Sequence, residues 1–267
     1  MAKIACFANS KGGVGKTTSC LAVGTCLADL GYKTLLIDLD HQGNLSDDVG
    51  RGDEDYTITD LFEDPKFDIN KLVYPALNKE KEIENLNVIP ADITLATEAR
   101  AAERYRHRLQ ILSDGLKPIK DHYDFILVDC RPAIDLSIEN ALLITDIVIV
   151  PVDMDRRATK GISDLFEVIA EIKRDDKFDY MLVKTKIDSR NKIMLKATEE
   201  RIDSMDLMVS DTVIRTSEDF KKATEEKMPI CYYAKNSKSH QDYMSLTNEI
   251  LDHMEIPGER YKDLKAV

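Results

Sequence analysis

Residues Ser10-Lys11-Gly12-Gly13-Val14-Gly15-Lys16-Thr17-Thr18 bring together the side chains and the spacing that phosphate binding requires. Without Cβ atoms, Gly12, Gly13 and Gly15 let backbone N–H groups close around phosphate oxygens at a helix N-terminus, where the helix dipole favours anions. Lys16 is spaced to reach the outer phosphates, and Thr17 to ligate Mg²⁺. The stretch is a variant of the loop G-x-x-x-x-G-K-[ST], because Ser10 stands where the first glycine belongs. It also carries a second cation, Lys11. Two ammonium groups at ~4 Å repel by roughly 4 kcal/mol at an effective dielectric near 20. A polyanion between them, or a different direction for Lys11, is therefore expected.

Two further segments supply carboxylates. Leu35-Leu36-Ile37-Asp38-Leu39-Asp40-His41-Gln42-Gly43-Asn44 ends an apolar run in two acids, which can hold the hydration shell of Mg²⁺ or orient an attacking water. In Phe125-Ile126-Leu127-Val128-Asp129, four apolar residues precede an acid, the usual Walker B arrangement for delivering a carboxylate to the metal. Arg131, two residues on, could act as a transition-state cation, but a surface or interface contact is the reading favoured for an arginine at a loop edge. The bland alternatives, a glycine-rich turn and an acidic turn, leave unexplained why strand, loop and helix follow in the required order.

The elements that must position these residues alternate along the chain. Strands are expected at Ile4–Ala8, Thr34–Ile37, Asn87–Pro90, Phe125–Val128, Ile147–Val150, Tyr180–Val183 and Leu207–Val209. Helical spacing is read over Thr18–Leu30, Ala99–His122, Leu136–Leu143, Lys160–Arg174, Lys192–Ser204 and His240–Met254. This alternation predicts an α/β fold: a mostly parallel central sheet with helices on both faces and ligands beyond the carboxyl ends of the strands. With 267 residues, 43% of them hydrophobic, the chain is read as a single domain over 1–267, its nucleotide motifs mainly in 9–46 and 124–132.

A net charge of −12 argues against a uniformly basic nucleic-acid binder, though not against a local basic patch. The five cysteines, Cys6, Cys20, Cys26, Cys130 and Cys231, lack C-x-x-C spacing and are read as reduced and mostly structural. No apolar run approaches a membrane span and the N-terminus leads straight into a strand, so a cytoplasmic protein is expected.

The segment Lys11 to Thr18 resembles the deviant Walker A ATPases of the ParA/Soj/MinD family, whose loop reads K-G-G-x-G-K-[ST]-[ST]; among them the ParA/Soj-type partition ATPases are nearest. The family's D-x-D-P-Q-G-N is matched by Asp38 to Asn44, with His41 in place of proline, a change expected to leave the turn less rigid. Further likeness lies in Val150-Pro151-Val152-Asp153, Thr159-Lys160-Gly161, Lys186 to Asn191 (against Y-D-S-R-T-N) and Lys227-Met228-Pro229-Ile230 (against G-x-P-I). The family usually carries proline where Arg131 stands.

The resemblance implies a P-loop fold and weak hydrolysis of ATP with Mg²⁺. It further implies an ATP-bound sandwich homodimer and a ParB-like stimulating partner that binds centromeres. By it, Lys11, Gly12, Gly13, Val14, Gly15, Lys16, Thr17 and Thr18 bind nucleotide, with Lys11 reaching the partner's ATP. Asp38, Asp129 and Thr17 serve the metal, and Asp40 positions the hydrolytic water. Non-specific DNA binding is implied within 184–238, where Arg190 matches the family and Lys192, Lys196, Lys221 and Lys222 could line the same face. Asp219 falls where a second basic residue is expected. The alternatives are a nucleotide-switched positioning protein with a protein cargo, and an amidoligase on the same scaffold, for which no substrate pocket is legible. Glu255 to Leu264, interrupted by Pro257-Gly258 and mixed in charge, argues against a membrane-binding tail. The paired cluster cysteines of the related nitrogenase iron protein are not found, so Cys130 is read as a small packed hydrophobe.

Overall fold

The computed structural model describes residues 2–153, 158–174, 177–188, 200, 202, 204–205 and 207–254; side chains are described from 161 onward in the helix that begins at 158. Eight strands form one sheet in the order β3-β4-β2-β5-β1-β6-β7-β8. They are β1 (Lys3–Phe7), β2 (Thr34–Leu39), β3 (Tyr74–Asn78), β4 (Lys81–Ile89), β5 (Phe125–Cys130), β6 (Ile147–Asp153), β7 (Tyr180–Ile187) and β8 (Val209–Arg215). Every pairing is parallel except that of β3 with β4. The helices are α1 (Lys16–Asp29), α2 (Asn44–Asp48), α3 (Ile58–Glu63), α4 (Leu95–Ala101), α5 (Ile111–Leu116), α6 (Leu136–Ile144), α7 (Ala158–Lys173), α8 (Glu218–Glu225), α9 (Ile230–Tyr233) and α10 (Lys238–His253).

The central strands are apolar throughout because both faces are covered. Alternate residues supply two separate cores: Leu35, Ile37, Ile126, Val128, Val148 and Val150 pack with Leu95, Leu112, Leu142 and Leu165 from α4 to α7. On the other face Leu36, Leu127, Ile147 and Ile149 pack with Leu21, Val23 and Leu27 of α1 and with Tyr243, Leu246 and Ile250 of α10. Helix α1 packs on the sheet with α10 beside it on the same face, which is why most of its residues are buried.

The expected helix over Ala99–His122 is broken. Tyr105 takes an extended backbone, ψ 138°, and its hydroxyl donates to the Glu63 carbonyl at 2.6 Å. Single 3₁₀ turns at Ala102–Arg104 and Arg108–Gln110 lead into α5, where Gly115 lies so close to Leu61 that a Cβ would sit 2.7 Å from its Cδ2. The strand expected at Leu207–Val209 begins two residues later and runs on through polar Ser210, Asp211 and Thr212 to Arg215, as an edge strand half open to water can. Strand β3, absent from the expectation, contains Pro75; edges tolerate proline because one row of N–H groups needs no partner. The helix read over Lys192–Ser204 lies almost wholly outside the described residues.

Gly24 sets how closely α1 approaches the sheet. A Cβ there would lie 2.6 Å from Leu36 Cδ2 and 3.4 Å from Leu127 Cδ1. Leu36 is fully buried and has little room to yield. Gly24→Val is expected to lower stability by about 1–3 kcal/mol through overpacking, read as a lower urea midpoint; an unchanged midpoint would show that α1 has space against β2.

Candidate functional site

The glycine loop leaves the carboxyl end of β1 and is pinned from three sides. Asn9 is buried, its Nδ2 donating to the Pro151 carbonyl at 2.8 Å while its Oδ1 accepts the Lys11 N–H at 2.9 Å. The Ser10 hydroxyl donates to the Gly161 carbonyl at 3.3 Å, and the Thr185 hydroxyl of β7 to the Val14 carbonyl at 2.8 Å. Gly13 (φ 72°) and Gly15 (φ 94°) are left-handed, a conformation costly for residues with a Cβ. A Cβ at Gly12, Gly13 or Gly15 would meet no protein atom within 4 Å, so the loop surrounds open space. Helix α1, fourteen residues long, begins at Lys16 and directs its unpaired first N–H groups into that space.

Lys16 is only 7% exposed, and its Nζ donates to the Lys11 carbonyl at 3.1 Å. Burial pulls its pKa down, opposed by the negative charge of Asp129 and, less, of Cys130 and Asp40. Lys11 takes another direction: its Nζ lies 2.7 Å from both carboxylate oxygens of Asp153 at the end of β6, 142 residues along the chain. The charge of Lys11 is met by the Asp153 carboxylate.

Asp38 and Asp129 are neighbours in the register of β2 on β5, and both are fully buried. Their surroundings differ. Asp38 accepts the Asp40 N–H at 2.9 Å and, on its other oxygen, the Ser46 N–H at 3.0 Å and the Ser46 hydroxyl at 2.7 Å, fixing the turn from β2 into α2. Burial nevertheless raises its pKa to about 6 against these bonds. Both oxygens of Asp129 are buried without a hydrogen bond of good geometry, although the Thr17 hydroxyl lies close enough to favour the ionised form. Burial first, then the Asp38 charge, push the Asp129 pKa well up. Asp40 sits at the rim with its side chain 15% exposed, accepting the Gln42 N–H at 3.1 Å, with His41 Nδ1 3.4 Å from the same oxygen.

The other candidates lie apart. Arg131 pairs with Asp135 at 2.9 Å, the carboxylate that caps α6 through Ser137 and Ile138. Cys130 is buried next to Cys6. Lys221 and Lys222 are exposed on α8, with Lys221 3.7 Å from Glu218. Asp219 receives the hydroxyl of Ser217, the α8 cap, at 3.0 Å. Arg190, Lys192 and Lys196 lie outside the described residues. Sequence reasoning missed a cavity of about 340 Å³ beside the loop, where Gly15 and Thr18 meet Thr185, Arg215, Thr216 and Phe220. Nothing local in the sequence marks these residues, since three elements converge only after folding.

The open glycine cradle, the buried lysine and the orphaned Asp129 oxygens fit a nucleotide phosphate with its magnesium ion: N–H groups and Lys16 would face the anion, and Asp129 and Thr17 the cation. Strand, loop and helix at the carboxyl edge of a parallel sheet thus define a P-loop nucleotide-binding protein. A family described as an AAA domain matches residues 2–182. The sporulation initiation inhibitor protein Soj of Bacillus subtilis is 32% identical over 255 residues, covering 94% of this chain and 98% of Soj. The chromosome partitioning protein ParA of Myxococcus xanthus is 31% identical, covering 93% and 88%. Cobyrinic acid a,c-diamide synthase of Mycobacterium smegmatis, solved with ADP and magnesium, superposes with a TM-score of 0.80 at 22% identity over 97% of this chain and 98% of its own. The chain belongs to the ParA/Soj family of P-loop ATPases.

For Asp38 the raised folded pKa means that its contribution to stability is full below pH ~4 and is lost as pH rises through about 6. The difference in unfolding free energy between the wild type and Asp38→Asn, both free of nucleotide, should therefore change across that window by up to the order of 3 kcal/mol and level off above it. Denaturant titrations at stepped pH read this directly, and a difference that stays constant from pH 4 to 7 would contradict it.

Proposed function

We propose that this chain is a DNA-partitioning ATPase, one domain over 1–267, that binds ATP with Mg²⁺ and works as an ATP-bound sandwich dimer. The observation that carries this reading is the arrangement of the two loop lysines: Lys16 is buried against the loop's own backbone, while Lys11 is held by an acid of its own chain. A single phosphate site needs only the first. The second can exchange Asp153 for the denser negative charge of a neighbouring protomer's nucleotide. ATP favours a dimer only if it binds the dimer more tightly than the monomer, and a lysine reaching across supplies such a differential contact. Ile93 and Ile134, large apolar side chains 68% and 37% exposed, follow β4 and β5 at the same edge of the sheet and suit a partner surface.

Within one protomer, the N–H groups of Gly13 to Thr17 and the Lys16 ammonium bind phosphate oxygens, and Thr17 with Asp129 holds the metal. When bound, Mg²⁺ neutralises phosphate charge and fixes the phosphate orientation. Asp38 orders the turn that carries Asp40, and Asp40 at the rim orients the attacking water. The nucleoside occupies the cavity beside Gly15, where Phe220 offers an aromatic face. Hydrolysis is slow in isolation and is stimulated by a ParB-like centromere-binding protein, in the cytoplasm where the DNA lies. Among the described residues no helix is long and apolar enough to cross a membrane.

DNA binding is assigned to Lys221 and Lys222, together with Arg190, Lys192 and Lys196. The second reading, a nucleotide-switched positioning protein with a protein cargo, is favoured by the acid at Asp219 and by the net charge of −12. The fold shared with an amide-forming synthase speaks for a common scaffold alone.

Lys16→Ala is expected to weaken Mg²⁺–ATP binding strongly in equilibrium titrations, and unaltered affinity would remove Lys16 from the phosphate site. Asp40→Ala should retain ATP as a long-lived dimer whose DNA affinity falls steeply with salt, the logarithmic slope being about −0.9 per phosphate contact. Replacing Lys221 and Lys222 by alanine in that background should reduce the slope. An ATP-bound Asp40→Ala dimer that ignores DNA even at low salt would move the assignment to a protein cargo.

A further inference from the structure

The cysteines look scattered in sequence, yet two of them meet a histidine behind the sheet, on the side away from α4 to α7. Cys26 in the last turns of α1 and Cys231 in α9 place their sulfurs 3.5 Å apart. His240, in the first turn of α10, completes a group whose three donor atoms all lie within 4.8 Å of one another. Cys26 and Cys231 are 0% and 1% exposed. The Nε2 of His240 is buried without a hydrogen bond of good geometry, although the Cys26 sulfur lies close to the ring, while its Nδ1 accepts the Asn236 N–H at 3.0 Å.

We propose that Cys26, Cys231 and His240 form a binding site for one thiophilic divalent cation of the zinc type. The sulfur separation is well beyond the ~2.05 Å of a disulfide. It approaches the roughly 3.8 Å spanned by two thiolates on one tetrahedral ion with metal–sulfur bonds near 2.3 Å. Two thiolates and an imidazole are soft and borderline donors, which select zinc-like ions over Mg²⁺. A fourth position is left for water. Binding releases the two thiol protons, because the thiolate is the ligand.

Ligation through Nε2 needs the imidazole proton on Nδ1, which now faces an N–H. Turning over the 235–236 peptide resolves this: the Lys235 carbonyl replaces the Asn236 N–H and accepts from Nδ1, the usual support of a ligating histidine. The same rotation takes the φ of Asn236, now 65°, to the negative values ordinary for a residue with a Cβ. The bound ion would join α9 and α10 to the end of α1, the helix whose other end cradles phosphate. It would therefore stabilise the chain in proportion to its occupancy.

The test uses the full chain, reduced and free of nucleotide, titrated with Co²⁺ and then Zn²⁺. The expected result is one cobalt per chain with a thiolate-to-cobalt charge-transfer absorption, displaced stoichiometrically by Zn²⁺, and a raised melting temperature. In Cys231→Ala the absorption should disappear. In His240→Ala the affinity should fall by at least the 10–100-fold typical of losing a mere supporting group. Circular dichroism and ATP affinity monitor folding of both variants independently, and Cys26→Ala serves if Cys231→Ala fails to fold. The proposal is overturned by an absence of charge-transfer absorption in the folded wild type, by absorption that survives in the cysteine variants, or by loss of both thiols to a disulfide under these reducing conditions.

Discussion

Charge sealed at the carboxyl edge of the sheet is the constraint on which the rest of the molecule depends. Lys16, Asp38 and Asp129 are almost wholly removed from water, and burial works against each of them, lowering the lysine pKa and raising those of the acids. Such groups are tolerated in a core only when paired or hydrogen-bonded. Asp38 meets that condition through the turn it holds; Asp129 meets it poorly. A magnesium-bound polyanion would give the lysine, now held by the neutral Lys11 carbonyl, a counter-charge and the orphaned acid a partner.

The sheet order makes that arrangement possible. Because β1 lies beside β5, and β5 beside β2, the glycine loop, Asp129 and Asp38 leave the sheet side by side. Ligands of open parallel sheets gather at this edge because the loops that follow the strands diverge there. Asn9 and Thr185 tie the loop that leaves β1 to β6 and β7, so the cradle is held by three strands rather than by its own short sequence. Lys11 belongs to the same edge but not to the same cradle. Its pairing with Asp153 is partly exposed and therefore weakly held, which suits a contact that must be exchanged for another.

The sequence is most legible where chemistry is local. Loop glycines, the lysine that follows them, and acids ending apolar runs can be read without folding the chain, because strand, turn and helix are contiguous. Legibility fails where distant segments meet. Thr185 and Phe220 are ordinary residues until β7 and α8 reach the loop, and the convergence of Cys26 with Cys231 across 205 positions leaves no spacing to detect. The broken helix between Ala99 and His122 fails for a different reason. Its periodicity and its Ala-, Arg- and Glu-rich composition favour a helix, but intrinsic propensity yields to tertiary contacts such as the bond from Tyr105 to Glu63.

The central claim is that Lys11 exchanges Asp153 for a partner protomer's nucleotide, and the most direct measurement is sedimentation equilibrium of the chain with Mg²⁺ and a non-hydrolysable ATP analogue. Wild type should form a dimer that depends on the analogue. Lys11→Ala should bind the analogue and stay monomeric, while Asp153→Asn, by weakening the lysine's hold on its own chain, should dimerise at lower protein concentration than wild type. Dimerisation constants that are the same in all three proteins would contradict the account.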